Sequence, residues 1–419
     1  MPASTTSSSA AQHDVLIVGG GLVGASLAIA LDRIGIDVAL VEAAPAGALP
    51  AVFDERNLSF AEATVNALTA LGVMRELRAP TGAIRRIHAS RRGDFGRVRL
   101  EAGDYGREAF GQVVVARDFG EALEARLSGL AQITRYRPVR FVGLDHGGDA
   151  YRVVRIADGT GERIVRAKLL VAADGTRSSV RDALGIAADE HDYLQTLLVA
   201  RLRAERAPDG TAWERLDDDG PTALLPRGDR HYGLIHAVAR ADAAQVQALG
   251  DEDFLARVQR AFGWRAGRLL AVGARSAYPA IRLVARSLTA SRAVLVGNAA
   301  QTLHPIGAQG FNLGLRDALT LAELIEHRLR NQRDSMQCDP GDAGLLAAYA
   351  QRRGEDRART LAFSDGLARL GANPAPLLAP LRSLGLLALD RVPSLQSLLV
   401  GGAMGYRGDV PALCRMESR

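Results

Sequence analysis

The chain is almost without lysine: of its 52 basic residues Lys168 alone is lysine, and the arginines that make up the rest are interspersed with 47 acids. The formal charge of +5 is therefore spread out, with no block of about five or six like charges, and a nucleic-acid surface is not expected. Cysteine is equally scarce. Cys338 and Cys414 are too few for a disulfide framework or a thiolate cluster, so no metal is expected and a reducing cytoplasm fits. No uninterrupted apolar run reaches the roughly twenty residues that cross a bilayer. The stretch from Val15 to Leu31 is broken by four glycines and lacks a basic segment ahead of it, which argues against a signal peptide and for a strand followed by a helix. Residues 1–13, rich in Ser, Thr and Ala through Gln12, read as a disordered tail.

What is present is the profile of a soluble globular protein: 419 residues, 47% hydrophobic and 24% charged, enough for roughly two or three domains. The apolar run from Asp14 to Val18 has the character of a central parallel strand and leads directly into Gly19-Gly20-Gly21-Leu22-Val23-Gly24. In such a turn Gly19 permits the tight bend, Gly21 lets a pyrophosphate approach the backbone, and Gly24 allows close packing of helix on strand. The helix that follows is expected to be amphipathic, with Val23, Leu27, Ala30, Leu31 and Ile34 on its buried stripe. A second strand, Asp37 to Val41, ends at Glu42, about twenty residues beyond the glycines, where a carboxylate can accept hydrogen bonds from an adenosine ribose. These features specify a dinucleotide without separating NAD from FAD.

Two further segments repeat the pattern of strand, turn and helix. Leu169 to Ala173 is an apolar strand that stops at Asp174-Gly175 and gives way to a helix start near Ser178 and Ser179. Val294 to Val296 runs into Gly297-Asn298, then His304-Pro305-Ile306-Gly307-Ala308-Gln309-Gly310-Phe311-Asn312, and a helix entered through Gly310. A helix start of that kind presents backbone N–H donors to a flat, partly anionic group. The helix beyond carries Leu315, Leu319, Ala322, Ile325 and Leu329 on one face, which would hold those donors in place.

In this order the three segments resemble the signature motifs of the group A flavoprotein aromatic hydroxylases. The segments Ile87 to Gly96, Gly111 to Val114, Phe262 to Arg265 and Arg275 to Pro279, with the run around Gly297, are similar to the ubiquinone-biosynthesis hydroxylase family, most of all to its 2-polyprenyl-6-methoxyphenol hydroxylase branch. The likeness extends from the first strand to about Leu389. It implies an α/β fold: a Rossmann-like FAD-binding domain of the aromatic hydroxylase type, an antiparallel-sheet substrate domain and a helical C-terminal region. It also implies FAD as cofactor, NAD(P)H as a transient reductant and O2, with insertion of one oxygen into a prenylated phenol through a flavin C4a-hydroperoxide. Glu42 would bind the ribose, Arg56 and Arg117 would contact FAD, and Asp174 would support the pyrophosphate region and NAD(P)H docking. Gly297, Asn298, Gly307, Gln309, Gly310, Phe311 and Asn312 would form the flavin loop. Asn298 stands where the wider family has aspartate, a softer contact to the ribityl chain. Gly307-Ala308 reverses the family's Ala-Gly, so a positive φ at Ala308 would carry strain.

No acid/base pair is evident, and His304, Pro305 and Gln309 are expected to act as walls of the flavin loop, since the cofactor carries the hard chemistry. Trp213 to Arg215, Thr222 to Pro226 and His231 to His236 read as strands of a mainly antiparallel sheet with one apolar face that roofs the flavin. The expected division is a FAD domain split over residues 14–80, 111–185 and 285–365, a substrate domain of 81–110 and 186–284, and helices in 366–419. For those last helices two readings stand, which do not exclude each other: a cap on the FAD domain, the favoured one, and a surface for contact with the inner face of the cytoplasmic membrane. Partners implied are the polyprenylated phenol and other proteins of ubiquinone biosynthesis. Lys168 lies far in sequence from the substrate segment, and Trp213 and Trp264 form no pair, which argues against a halogenase. An epoxidase or prenyl reductase on the same scaffold, and a non-catalytic FAD-bound assembly subunit, are the alternatives.

Overall fold

A computed structural model describes residues 10–51, 54–130, 132–331, 339–371, 373 and 375–415; most of the expected N-terminal tail and Cys338 lie outside these. Four segments whose apolar character demands cover on both faces pair as parallel strands: Ala293–Leu295, Gly161–Ala172, Ala11–Val18 and Val38–Val41, with Ile133–Tyr136 beyond. Antiparallel strands extend the sheet to eight. In register, Val18 stands beside both Val41 and Ala172, and Ala172 beside Leu295. Gly19, Glu42, Ala173-Asp174 and Gly297-Asn298 therefore leave the sheet along one edge, at the carboxyl ends of its strands, where open α/β sheets bind ligands.

Two expectations about this sheet are corrected. Its first strand begins at Ala11, since Ala11, Gln12 and His13 pair with Val165, Arg166 and Ala167, so residues 11–13 are sheet and not tail. His13 is buried there, with ring contacts to Asp37 (3.0 Å) and the Tyr136 hydroxyl (2.9 Å). The helix Leu22–Asp32 is not amphipathic but buried at every position from Gly24 to Leu31. It lies against both the Ala116–Ser128 and Gly310–Asn331 helices, which cover the side that a two-layer arrangement would have left wet.

The second sheet has nine strands, ordered Gln301–Thr302, Ser276–Ala285, Ala188–Ala204, Tyr232–Ala239, Gly220–Pro226, Thr211–Asp217, Arg86–Arg91 and Arg97–Glu101, with Leu269–Val272 beside Ala188–Ala204. Every neighbouring pair is antiparallel except Thr211–Asp217 with Arg86–Arg91. It has two apolar faces where one was expected. Leu198, Leu224 and Leu234 pack on one side with Phe254, Val258 and Phe262 of the Asp251–Phe262 helix. Ala223, Leu225 and Ile235 face a cavity on the other side.

The C-terminal helices Ala379–Arg391 and Pro393–Ala403 cap this second sheet, which corrects the expectation that they cap the FAD domain. The first of them seats on the hairpin from Arg86–Arg91 to Arg97–Glu101. Arg382 bonds Asp94 (3.1 Å), the Phe95 N–H donates to Ser383 (3.2 Å) and the Arg99 N–H donates to Asp390 (2.8 Å). A Cβ at Gly96 would collide with the Ser383 backbone, so the hairpin glycine permits the close approach. The chain then returns to the first domain, where Asn66 donates to Tyr406 (2.8 Å) and to the Cys414 carbonyl (3.3 Å). Among the described residues no helix is long and apolar enough to cross a membrane.

Candidate active site

At the edge of the parallel sheet the glycines are there because nothing larger fits. Gly19 has φ +107°, and a Cβ on it would lie 2.6 Å from the Ala173 carbonyl carbon; one on Gly24 would lie 3.1 Å from the Ala173 side chain. Gly21 is the N-cap of the Leu22–Asp32 helix and offers no side chain to it, so that helix start faces the edge with backbone donors of its own. The Glu42 carboxylate is fixed beside the turn by the N–H groups of Gly20 and Ala44, both at 2.8 Å. Asp174 is engaged within its own turn, accepting from the Ser178 hydroxyl (2.5 Å) and the Val180 N–H (3.1 Å). Ser178 in turn accepts from the Arg181 N–H (3.0 Å) and caps the Ser179–Ala183 helix.

The third motif meets the first through further missing side chains. Gly297, at φ +59°, packs on Val23, and a Cβ on Gly314 would stand 2.9 Å from both the Gly297 Cα and Val23. Asn298 is exposed in the Gly297–Ala299 turn. Behind it Asp317, fully buried, accepts from the Gly297 N–H (3.4 Å), from Gln301 (2.5 Å) and from Arg353 (2.7 Å). Arg353 also pairs with Asp356, and Asp356 with Arg316, both at 2.8 Å. Burial works against the Arg353 charge, yet the Asp317 and Asp356 carboxylates hold its pKa above the ordinary value. Sequence reasoning missed this network, which ties Gly310–Asn331 to Ala343–Gly371; no local pattern announces it.

In the loop between, both Gly307 (φ +69°) and Ala308 (φ +50°) take the left-handed conformation, so the reversed pair does place an alanine where glycine is favoured. Asn312 is a brace: its carbonyl accepts from the Ala61 N–H (2.9 Å) and Thr64 (2.7 Å), and its amide donates to Ser59 and Ala308, each at 2.9 Å. The Phe311 ring packs with Phe60 and Phe119 at 5.2 and 5.3 Å. What the helix start at Gly310 retains for a ligand is its backbone N–H groups, the intrahelical ladder beginning with Leu313 N–H to Gln309 (2.9 Å). Gln309 and Pro305 line the cavity. His304 stands behind the loop, 1% exposed. Its Nδ1 accepts from the Ile306 N–H (3.2 Å), so the proton sits on Nε2, which donates to Gln195 (3.1 Å). Burial pushes its pKa down to about 4, leaving a neutral ring that supports the loop. Arg56 stacks over Tyr278 (4.3 Å) and bonds Asp54 (2.8 Å), which also accepts from the Tyr278 hydroxyl (2.5 Å). Arg117 is exposed and paired with Glu55.

Between this loop and the second sheet lies a cavity of about 110 Å³, walled by Ile87, Phe110, Pro221, Leu225 and Ile235 and by residues 305–309. One acid enters it. Glu214 shares a strand face with Ala212, takes a hydrogen bond from the Gly307 backbone, and is pushed by desolvation up to about pKa 7. Its strand was legible and its position was not, although an acid in an apolar row is a signal that could have been followed.

Residues 12–362 match a family model described as FAD binding domain. The chain belongs to the FAD-binding monooxygenase family. Similar proteins include the ubiquinone hydroxylase UbiL of Rhodospirillum rubrum, 34% identical over 94% of this chain and 89% of that protein. The 3-demethoxyubiquinol 3-hydroxylase of Escherichia coli is 29% identical over 94% and 98%, and human mitochondrial ubiquinone biosynthesis monooxygenase COQ6 is 28% identical over 93% and 92%. The fold matches that of p-nitrophenol 4-monooxygenase PnpA from Pseudomonas putida, with a TM-score of 0.77 over 95% of this chain and 99% of that one at 17% identity. FAD is thus the cofactor of this monooxygenase, and the sheet edge fits it: glycine positions that a Cβ would close, two helix starts with free donors, and a held carboxylate.

Proposed function

We propose that this monooxygenase hydroxylates the aromatic ring of a polyprenylated phenol of the 2-polyprenyl-6-methoxyphenol type in ubiquinone biosynthesis, with NAD(P)H and O2 as co-substrates. The observation that carries the reading is an apolar cavity against the flavin loop whose wall includes Ala403 of the C-terminal helices. The neighbouring helix exposes Leu381, Leu384 and Leu387, with Leu377 just ahead of it. A ring in the cavity and an isoprenoid tail leaving along that helix suit such a wall. The chain's similarity to the ubiquinone hydroxylase UbiL and to 3-demethoxyubiquinol 3-hydroxylase supports the same chemistry.

In this reading Gly19, Gly21, Gly24 and Asp174 serve the pyrophosphate, Glu42 the ribose, and Gly297 and Asn298 the ribityl chain. Gly307, Gln309, Gly310, Phe311 and Asn312 shape the seat of the isoalloxazine, with Arg56 and Arg117 as outer contacts. His304 and Pro305 are wall residues. FAD, when bound, accepts electrons from NAD(P)H and uses them to activate O2. The protein contributes a dry, preorganised pocket, in which apolar walls exclude water and helix-start N–H groups favour negative charge on the reduced ring.

The test is anaerobic mixing of holoenzyme with NADPH, with and without a 2-prenyl-6-methoxyphenol, followed by product mass after air is admitted. Faster flavin bleaching with the phenol, and a product one oxygen heavier on its ring, are expected; oxygen on the prenyl olefin would refute the reading. The exposed leucines support contact of the C-terminal helices with a lipid surface, with peripheral placement on the inner face of the cytoplasmic membrane as part of this reading. Flotation with anionic vesicles should be lost in a Leu381→Glu, Leu384→Glu variant that keeps its FAD.

A further inference from the structure

Strand alternation puts Ala212 and Glu214 on the cavity face of Thr211–Asp217 and turns Trp213 and Arg215 to the other. Glu214 lies beside Ala89 and Ala223 in the adjoining strands, and both are apolar. From the flavin loop it meets the Gly307 N–H, a neutral donor. The other groups around the cavity are Ser59 and Phe60 of Asn57–Ala61, Gln309 and Asn312 of the loop and helix, and Ala403 of the C-terminal helices. None of them titrates, and His304 behind the loop is neutral and committed to Gln195. Among the described residues lining the cavity Glu214 is the only ionisable side chain. Placing a carboxyl in such a wall is costly, and a single neutral donor offsets only part of that cost.

We infer that Glu214 is the acceptor for the substrate's phenolic hydroxyl, orienting the ring over the flavin loop and taking its proton during hydroxylation. The inference rests on the phenol reading above. In the step the phenol O–H bond breaks, an O–H bond forms on the carboxylate, and the electron pair stays on the ring oxygen, where it enriches the ortho and para carbons. The proton returns to that oxygen as the product forms. The Gly307 backbone also meets the carboxylate, so the loop against the cavity bears on the position of the base. A base works best with a pKa near the working pH, and desolvation brings Glu214 to about 7.

The experiment uses FAD-loaded enzyme. Without reductant, so that no turnover occurs, binding of a 2-prenyl-6-methoxyphenol is followed by the change in flavin absorption and compared with that of its methyl ether. The phenol should bind about tenfold more tightly as pH rises through about 7, and the ether should show no such change. In turnover, Glu214→Gln should keep its flavin spectrum, lose about 100-fold in kcat and lose the rise in rate through the same window. Wild-type binding and rate that are flat across that window would overturn the inference, as would a Glu214→Gln variant that keeps kcat and the pH limb. Either result leaves the hydroxylase reading standing. If Glu214→Gln fails to retain FAD, the wild-type comparison of phenol with ether decides. Wild-type enzyme that neither binds nor hydroxylates any prenylated phenol refutes the functional reading itself, and the inference falls with it.

Discussion

The two sides of the active site are built in different ways. The sheet edge is made of backbone: Gly19, Gly24, Gly297 and Gly314 allow segments to touch, and the register of Val18, Val41, Ala172 and Leu295 brings four strand ends into one row. The roof is made of side chains that meet across the sheet, with Glu214, Ala223 and Ile235 from three strands facing Gly307. At the edge a Cβ on Gly19, Gly24 or Gly314 would run into a neighbouring segment, so shape is set by what is missing. On the roof shape and charge are set by side chains, with Glu214 the one acid among the described residues lining the cavity.

The contrast can be broken most severely from behind the edge. Asp317→Ala leaves the Arg353 guanidinium buried without its main partner, and should cost about 3–5 kcal/mol in urea denaturation. A loss below about 1 kcal/mol would mean that the network does not support the edge. Gly24→Val should come next, forcing a side chain into the Gly19 turn at up to about 3 kcal/mol and abolishing flavin retention, read as bound FAD per protein. Gly310→Ala, where a Cβ meets no protein atom within 4 Å, should keep the fold in urea denaturation, so that any loss of bound FAD in this variant would come from the flavin's seat and not from packing.

On the roof the sign depends on pH. Glu214 has a folded pKa raised from 4.5 to about 7, so the fold is favoured by its neutral form. That stability is fully present below about 4.5 and is lost as pH rises through about 7. Glu214→Gln should therefore stabilise the protein relative to wild type above about pH 7, by at most about 3 kcal/mol, and change little at acid pH, as thermal melts at the two pH values would show. Equal melting shifts at both would mean that the carboxyl is not desolvated. Where edge and roof join, Ala308→Gly should relieve the left-handed alanine and gain about 0.5–1 kcal/mol after the entropy of glycine is subtracted, a small rise in Tm. No gain would place the strain elsewhere in the loop.

The sequence was legible where the physics is local. The turn after Val18, the helix start at Ser178 and the helix entered at Gly310 each depend on residues within a few positions of one another, and each lies where the pattern put it. Asn312 and Phe311 are expected from the sequence in the flavin loop, and in the fold their side chains are spent on Ser59, Thr64, Phe60 and Phe119. The misreadings share one cause, contacts across long stretches of chain. Ala11 joins the sheet because Val165 is there to pair with it. The Leu22–Asp32 helix loses its wet face to two distant helices, and the C-terminal helices find the Asp94–Gly96 hairpin instead of the parallel sheet.

Periodicity and glycine spacing by themselves determined the parallel strands, their turns and the place for a dinucleotide, because steric exclusion at a glycine and the two-residue alternation of a strand are properties of neighbouring residues. Only the folded arrangement decided that Glu214 would stand alone in an apolar cavity, that Asp317 would hold Arg353, and that the last helices would wall the pocket. Desolvation and charge pairing depend on what surrounds a group in space, and those surroundings come from other elements of the chain, 36 positions away for the Asp317–Arg353 pair and more than a hundred for Glu214 beside Ala89.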